Sequence, residues 1–398
     1  MVKDNKRFTY HIIPALTALI CAYIVIYGMI GQGPLSHGTY DSYTRQAVSW
    51  WQGHTYLPEN VSWLELALYN GQYYVSFPPF PSVVMALLTP IFGMNTPDSL
   101  VNTLFGIGTF LLIYRYLMRR EYGGFYASIF ALLMTLGSNL LYLSATGWVW
   151  FSAQTEGFFF SVLALYLLLS NKKYAWALSF LSLGVAMACR PFQVIYAPLL
   201  MYLLYQKIEG KGLFRRLLRC VPYMLPLLFA GLCMGAYNYA RFGGFFEFGH
   251  NYLPEFAFDL QFSLSYVPAN IAEIMKLPGA DIEGFWPQFN GTLFFLVNPV
   301  YILLFVCLVR RMNKKRWIWF ACFLVHLLVT LCHKTMGGWQ FGCRYLVDML
   351  PFMLVVFEDE RVYRTSRITG YAGLPVLLLI AGAVINIWGA IWYYSMAI

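Results

Sequence analysis

Only 11% of the 398 residues are charged, and no stretch is polar enough to stand as a separate soluble domain. The nucleotide, hydrolase and zinc-protease signatures GxxxxGK[ST], GxSxG and HExxH are all missing, which argues against nucleotide-powered chemistry. The eight cysteines have neither CxxC nor CxxH spacing and sit mostly inside apolar runs, as small packing residues do; only Cys332 and Cys343 fall where two could meet near one surface. The formal charge of +9 sits in short loops, not on a basic face, so nucleic acid is not an expected partner.

What the chain has is apolar length. At 59% hydrophobic residues it carries more apolar surface than a soluble core could bury, and the bilayer must cover the rest. Spans are predicted near 10–30, 98–118, 125–145, 154–170, 174–190, 191–206, 220–240, 290–309, 317–333, 344–357 and 371–394, most of them near the roughly 20 residues that cross about 30 Å of hydrocarbon, with those near Arg190 and Asp348 short enough to be tilted, broken or partly re-entrant. The first follows Lys3, Lys6 and Arg7 and lacks a small-residue cleavage site, so it reads as a retained helix. The expected fold is therefore an all-α polytopic membrane protein, a single domain over 1–398 with about eleven helices.

Most of the 27 basic residues lie in six clusters: Lys3 to Arg7, Arg115 to Arg120, Lys172 and Lys173, Lys207 to Arg219, Arg310 to Arg316, and Arg361 to Arg367. Placing all six in the cytoplasm, as the positive-inside bias requires, puts the N-terminus inside and the C-terminus outside. The acids Asp41, Glu59, Glu65, Asp98, Glu156, Glu247, Glu255, Asp259, Glu273, Asp281, Glu283 and Asp348 then face outward. So do six cations that defy the bias: Arg45, Arg190, Arg241, Lys276, Lys334 and Arg344.

Two outer loops are long, 31–97 and 241–289. In the first, SYTRQAVSWW and PSVVMALLTPIF read as short helices lying on the membrane surface with Trp and Tyr at headgroup depth, a lipid-facing arrangement. Asp41, beside Tyr40 in GTYDSYT, is placed either to cap the helix that follows or to act as a base or metal ligand. Glu156, after Gln154 in WVWFSAQTEGFFF, is an ionisable group at a span's outer end, a functional candidate or a solvated helix-start acid. Arg190 precedes Pro191 between two spans, where arginines also simply reach to the interface. Arg344 follows a glycine-rich turn, positioned to hold a phosphate or to pair with Asp348 four residues on; His333 and Lys334 share its neighbourhood. The second loop combines Arg241, Glu247, His250 and Asn251 with aromatic rings and glycines, as sugar sites do. The sequons at Asn60 and Asn290 fall on the outer side.

In order, Asp41 with AVSWWQG, FPPFPSVVMALLTPIFG, the Gln154-Thr-Glu156 helix start, LSLGVAMACRPFQVIYAP, YNYARFGGFFEFGHNY and GGWQFGCRYLVDMLPF resemble the GT-C superfamily of polyprenyl-phosphate-sugar glycosyltransferases over nearly the whole chain, especially the bacterial relatives of protein O-mannosyltransferases and the lipid A aminoarabinose transferase. The resemblance implies an inverting glycosyltransferase that moves a sugar from a lipid phosphate carrier to a glycan, lipid or protein acceptor outside the cytoplasm. It implies Asp41 and Glu156 as the catalytic acids and Arg344, Arg190, Lys334 and Arg241 as donor phosphate partners, with Gln154, His250, Asn251 and Tyr40 toward the substrate. Asp41 is followed by Ser42, where the eukaryotic O-mannosyltransferases have a second acid, and this counts against a bound divalent metal and against protein as acceptor. A secondary transporter or lipid-linked saccharide flippase is the alternative, supported by the number of spans, although transporters usually show paired repeats.

Overall fold

The computed structural model describes residues 2–256, 260–276, 293–337 and 340–397, which excludes Asp259, Asp281, Glu283, the Asn290 sequon and Gly338–Trp339. Each expected apolar segment is helical over most of its described length. The first outer loop adds α2 (Ser42–Trp51) and α3 (Phe80–Phe92), where the sequence predicts two short helices, although α2 buries Ser42, Tyr43, Thr44, Gln46, Ala47 and Ser49 within the protein. Five helices are long and apolar enough to cross a bilayer: the Tyr10–Ile30 part of α1 (Val2–Ile30), α4 (Asp98–Arg119), α7 (Val149–Leu168), α10 (Leu213–Phe242) and α16 (Gly373–Ala397). With the composition, they make the chain an integral membrane protein. The other apolar segments are shorter or interrupted, among them α5 (Gly124–Thr135) with α6 (Leu140–Leu143), α8 (Lys173–Cys189), α9 (Ala197–Lys207), α12 (Phe294–Val297) with α13 (Val300–Arg310), and α14 (Lys314–Leu331). Short helices α11 (Val267–Ile274) and α15 (Leu354–Phe357) complete the set.

Helix α7 is apolar all round, which suits a helix packed on every side. It lies against α4, α8 and a 3-10 segment, Arg344–Met353. At the opposite extreme α10 leaves Leu218, Leu225, Leu228, Phe229 and Leu232 exposed, a face for lipid.

The breaks between α5 and α6 and between α12 and α13 free backbone groups where no water replaces their hydrogen bonds. Three asparagine amides supply them. Asn139 N donates to Asn298 Oδ1 at 2.9 Å, Asn298 Nδ2 returns a bond to Asn139 Oδ1 at 2.9 Å, and Asn386 Nδ2 donates to the Val297 carbonyl at 2.8 Å. Gly382 lets α16 close on this junction, for a Cβ there would stand 2.5 Å from the Gly137 carbonyl oxygen and 2.8 Å from Pro299 Cγ. Gly382→Ala therefore lowers the Tm of the purified protein, at a cost of about 1–3 kcal/mol typical of overpacking. An unchanged Tm would show that α16 is free to shift.

Basic clusters far apart in sequence meet at one end of the bundle. Glu358 accepts from Tyr116 and Lys315 and stands 2.9 Å from Arg120; Lys315 also reaches Asp359 at 2.8 Å. Arg316, fully buried, holds Glu360 at 2.7 Å and donates to the carbonyls of Cys307, Arg311 and Val356. At the other end the first loop folds back through a hairpin the sequence reading missed, β1 (Leu66–Tyr69) with β2 (Gln72–Val75), turned by Asn70 and Gly71 at φ 49° and 77°. Cys332 and Cys343 are both free thiols.

Candidate active site

Two breaks in the helical path place cations at the loop end of the bundle. Helix α8 stops at Arg190 because Pro191 follows: the residue before a proline is pushed out of the helical region, and Arg190 is extended at φ −141° and ψ 100°. Arg344 opens the 3-10 segment just after Gly342, whose φ of 66° suits glycine. Their side chains line one cavity of about 270 Å³. Phe77, Trp150, Phe192, Phe246, Phe248, Phe262 and Tyr345 give it aromatic walls, and Asp348, Glu247, His250, Asn251, Gln261, Thr330 and His333 a polar lining.

The two guanidiniums differ. Arg190 grips Asp348 with both Nε and Nη2 at 2.8 Å, while Gln154 Nε2 donates to the other oxygen of Asp348 at 3.1 Å and to the Arg344 carbonyl at 2.9 Å. Asp348 thus pairs with Arg190, not with Arg344 as helical spacing predicts. A 3-10 segment turns every three residues, so positions four apart no longer lie on one face. Arg344, 6% exposed, has no carboxylate partner among the described residues, and its Nη1 is buried with no acceptor. It lies 5.1 Å from the centre of the Tyr345 ring and 6.0 Å from that of Trp150. Such a group is a receiver for an anion, since a buried cation with unmet donors is costly until one arrives.

His250 and Asn251 line the cavity as expected. Burial, with His333 and Arg190 nearby, pulls the His250 pKa down to about 4, so the ring is neutral at pH 7 and both donates and accepts. Asn251 Nδ2 is held by Glu247 at 2.7 Å. Lys334 and Arg241 do not line the cavity: Lys334 Nζ lies 5.5 Å over Phe256, and Arg241 ties the end of α10 to β2 by donating to the Val75 carbonyl at 2.7 Å. Gln154 is likewise behind the wall, bracing Arg344 and Asp348. Tyr40 packs 4.8 Å from the Trp150 ring, one layer out from the cavity.

Neither acid expected to be catalytic lines the cavity itself. Glu156 is fully buried in α7 with both carboxyl oxygens lacking a hydrogen-bond partner. Asp41, 3% exposed, stands at the start of α2 yet makes no capping bond with its side chain. It accepts instead from His37 Nε2 at 2.9 Å and Arg45 Nε at 2.7 Å, and His37 Nδ1 stands 3.1 Å from Asp98. His37 and the role of Asp98 were missed in the sequence; the four-residue spacing of His37, Asp41 and Arg45 was the available signal. Burial opposes charge on His37, but the Asp41 carboxylate it donates to and the neighbouring Asp98 carboxylate outweigh it and raise its pKa to about 10. The folded state therefore holds this proton more tightly than the unfolded chain, whose histidine titrates near 6.5. The stability it adds is complete below that value and is lost as pH rises toward 10. His37→Gln should flatten the fall of Tm between pH 6.5 and 10; equal slopes would contradict the clamp. Among the described residues no three His, Cys, Asp or Glu side chains gather to hold a metal ion.

The overall fold is similar to that of ArnT from Cupriavidus metallidurans in its crystal structures. Bound to undecaprenyl phosphate, that protein aligns at TM-score 0.54 and 12% identity over 96% of this chain and 76% of ArnT. The chain shares the fold of ArnT. Apo ArnT gives TM-score 0.54 and 13% identity over 96% and 75%, and an Archaeoglobus fulgidus oligosaccharyltransferase gives 0.49 and 14% over 96% and 56%. No family profile and no curated protein matches the sequence. At such identities the fold is what is shared.

Proposed function

We propose that this protein is an integral-membrane glycosyltransferase that moves a sugar, with inversion, from a polyprenyl-phosphate carrier to an acceptor outside the cytoplasm. The observation that carries the reading is Arg344: a buried guanidinium with an unmet donor, walled by aromatic rings, in a cavity at the loop end of a membrane bundle. The shared fold with ArnT, crystallised with undecaprenyl phosphate, supports the carrier class.

In the proposed reaction the acceptor hydroxyl attacks the anomeric carbon. Its proton passes to Asp41, the new C–O bond forms, and the bond from carbon to phosphate oxygen breaks, its electron pair leaving with the phosphate. The phosphate goes from one negative charge to two, and Arg344, joined by Arg190, stabilises the charge that develops. Asp41 does not line the cavity, so this step requires the acceptor hydroxyl to enter beneath the first loop to within hydrogen-bond reach of its carboxylate. His37 and Arg45 keep its carboxylate oriented. His250, Asn251 and the aromatic walls hold the sugar. Glu156 is a second acid behind the centre. The donor ester already holds the energy, so no nucleotide is needed. In this reading eleven spans run from a cytoplasmic N-terminus to an outer C-terminus, and 1–398 form one catalytic domain.

The test is sugar transfer by purified protein from a polyprenyl-phosphate-linked donor to a hydroxyl acceptor. Transfer supports the reading; no transfer, with gradient-driven substrate movement in proteoliposomes, would replace it with a transporter.

A further inference from the structure

A second, larger cavity opens at the opposite end of the bundle, and nothing in the proposed transfer uses it. Its volume is about 1010 Å³, and it lies between the start of α1, the ends of α4 and α7, the start of α5 and the chain near residue 365. Arg115, Arg119 and Arg364 face it from two separate segments, beside His11, Tyr10 and Tyr166. Arg115 and Arg119 have no carboxylate partner among the described residues; Arg119 lies 4.4 Å over the Tyr166 ring. Arg364 is anchored by the Glu358 carbonyl at 2.8 Å and stands 3.5 Å from Glu121, whose side chain is 81% exposed. The positive lining is thus barely neutralised from within.

The walls are also fixed in shape. Glu121 takes a left-handed turn at φ 67° to end α4, and Gly123 has no Cβ because one would collide with the Thr365 carbonyl. The loop is held against α5, and the cavity between them stays open. Depth identifies the occupant. Arg119 and Tyr166 close two membrane-length helices, α4 and α7, at the end away from Asp98 and Trp150, while Tyr10 opens the apolar part of α1. In a bilayer that these helices cross, that level falls in the headgroup layer, where tyrosines and arginines meet lipid phosphates. Beside it Tyr10 and Ile13 are 76% and 58% exposed, an apolar edge along which an acyl chain can lie.

We propose that this cavity binds the headgroup of an anionic phospholipid, with Arg115 and Arg119 on the phosphate. This site is independent of the transferase reading. The full-length protein would be purified and reconstituted in nanodiscs of phosphatidylcholine with a minor share of phosphatidylglycerol, and the lipid retained after extraction would be measured by native mass spectrometry. The wild-type protein should retain phosphatidylglycerol at least about tenfold over its bulk share, and Arg115→Gln with Arg119→Gln should lose that enrichment while keeping its lipid-free Tm. If the double variant is unstable, Arg115→Gln alone should cut the enrichment several-fold. No enrichment in the wild type, or equal enrichment in the variants, would overturn the proposal. Soluble glycerol phosphate displacing the retained phosphatidylglycerol in the same native mass spectra at equal concentration would overturn the lipid assignment in favour of a small-anion site.

Discussion

Arg344→Ala lowers sugar transfer about 10³-fold, the size of effect expected when one donor to a developing oxyanion is lost from a desolvated site. The loss falls on kcat more than on KM, because the phosphate gains its second negative charge only as the sugar departs. Arg344 is suited to that role by what it lacks: no carboxylate neutralises it among the described residues, and its Nη1 has no acceptor. Arg344→Lys keeps the charge but loses the planar fork, and should fall between the two. Arg190→Gln costs less, since Asp348 already takes both of its 2.8 Å contacts. A similar loss in all three, confined to KM, would mean that the cavity binds the donor without acting on the transition state.

Asp41→Asn lowers turnover by about 10²–10⁴-fold, the range for removal of a general base. The amide matches the carboxylate in shape and can still accept from His37 or Arg45, so the first loop keeps its conformation and donor binding is little changed. His37→Gln, which removes the charge holding Asp41 in place at 2.9 Å, should have a smaller effect on turnover and a larger one on its pH dependence. Turnover unchanged in both Asp41→Asn and Arg344→Ala would end the transferase assignment.

The membrane character was legible because it is written in composition and in runs of apolar residues, which need no tertiary information. The two short helices at Ser42–Trp51 and Phe80–Phe92 were legible from a local amphipathic pattern between turn residues. The break between α5 and α6 was not, because a lone Asn139 in an apolar run looks tolerable until Asn298 and Asn386 arrive from far along the chain. The site was half visible. Cations kept against the charge bias drew attention to Arg190 and Arg344, and both line the cavity. The same rule also picked Arg241, which donates to the Val75 carbonyl and Asn238 and does not line the cavity. Of the two readings left open for Arg344, pairing with Asp348 is not what the structure shows, since spacing of four favours that pair only on an α-helix, and this segment is 3-10. Asp98 joins His37 across some sixty positions, a contact that no local pattern announces.

The most direct measurement is the structure of the protein reconstituted with undecaprenyl phosphate in a nanodisc. The account predicts the phosphate inside the aromatic cavity, within hydrogen-bond reach of Arg344, with Arg190 turned toward it from Asp348. A lipid phosphate bound elsewhere, with the Arg344 guanidinium left empty, would contradict it.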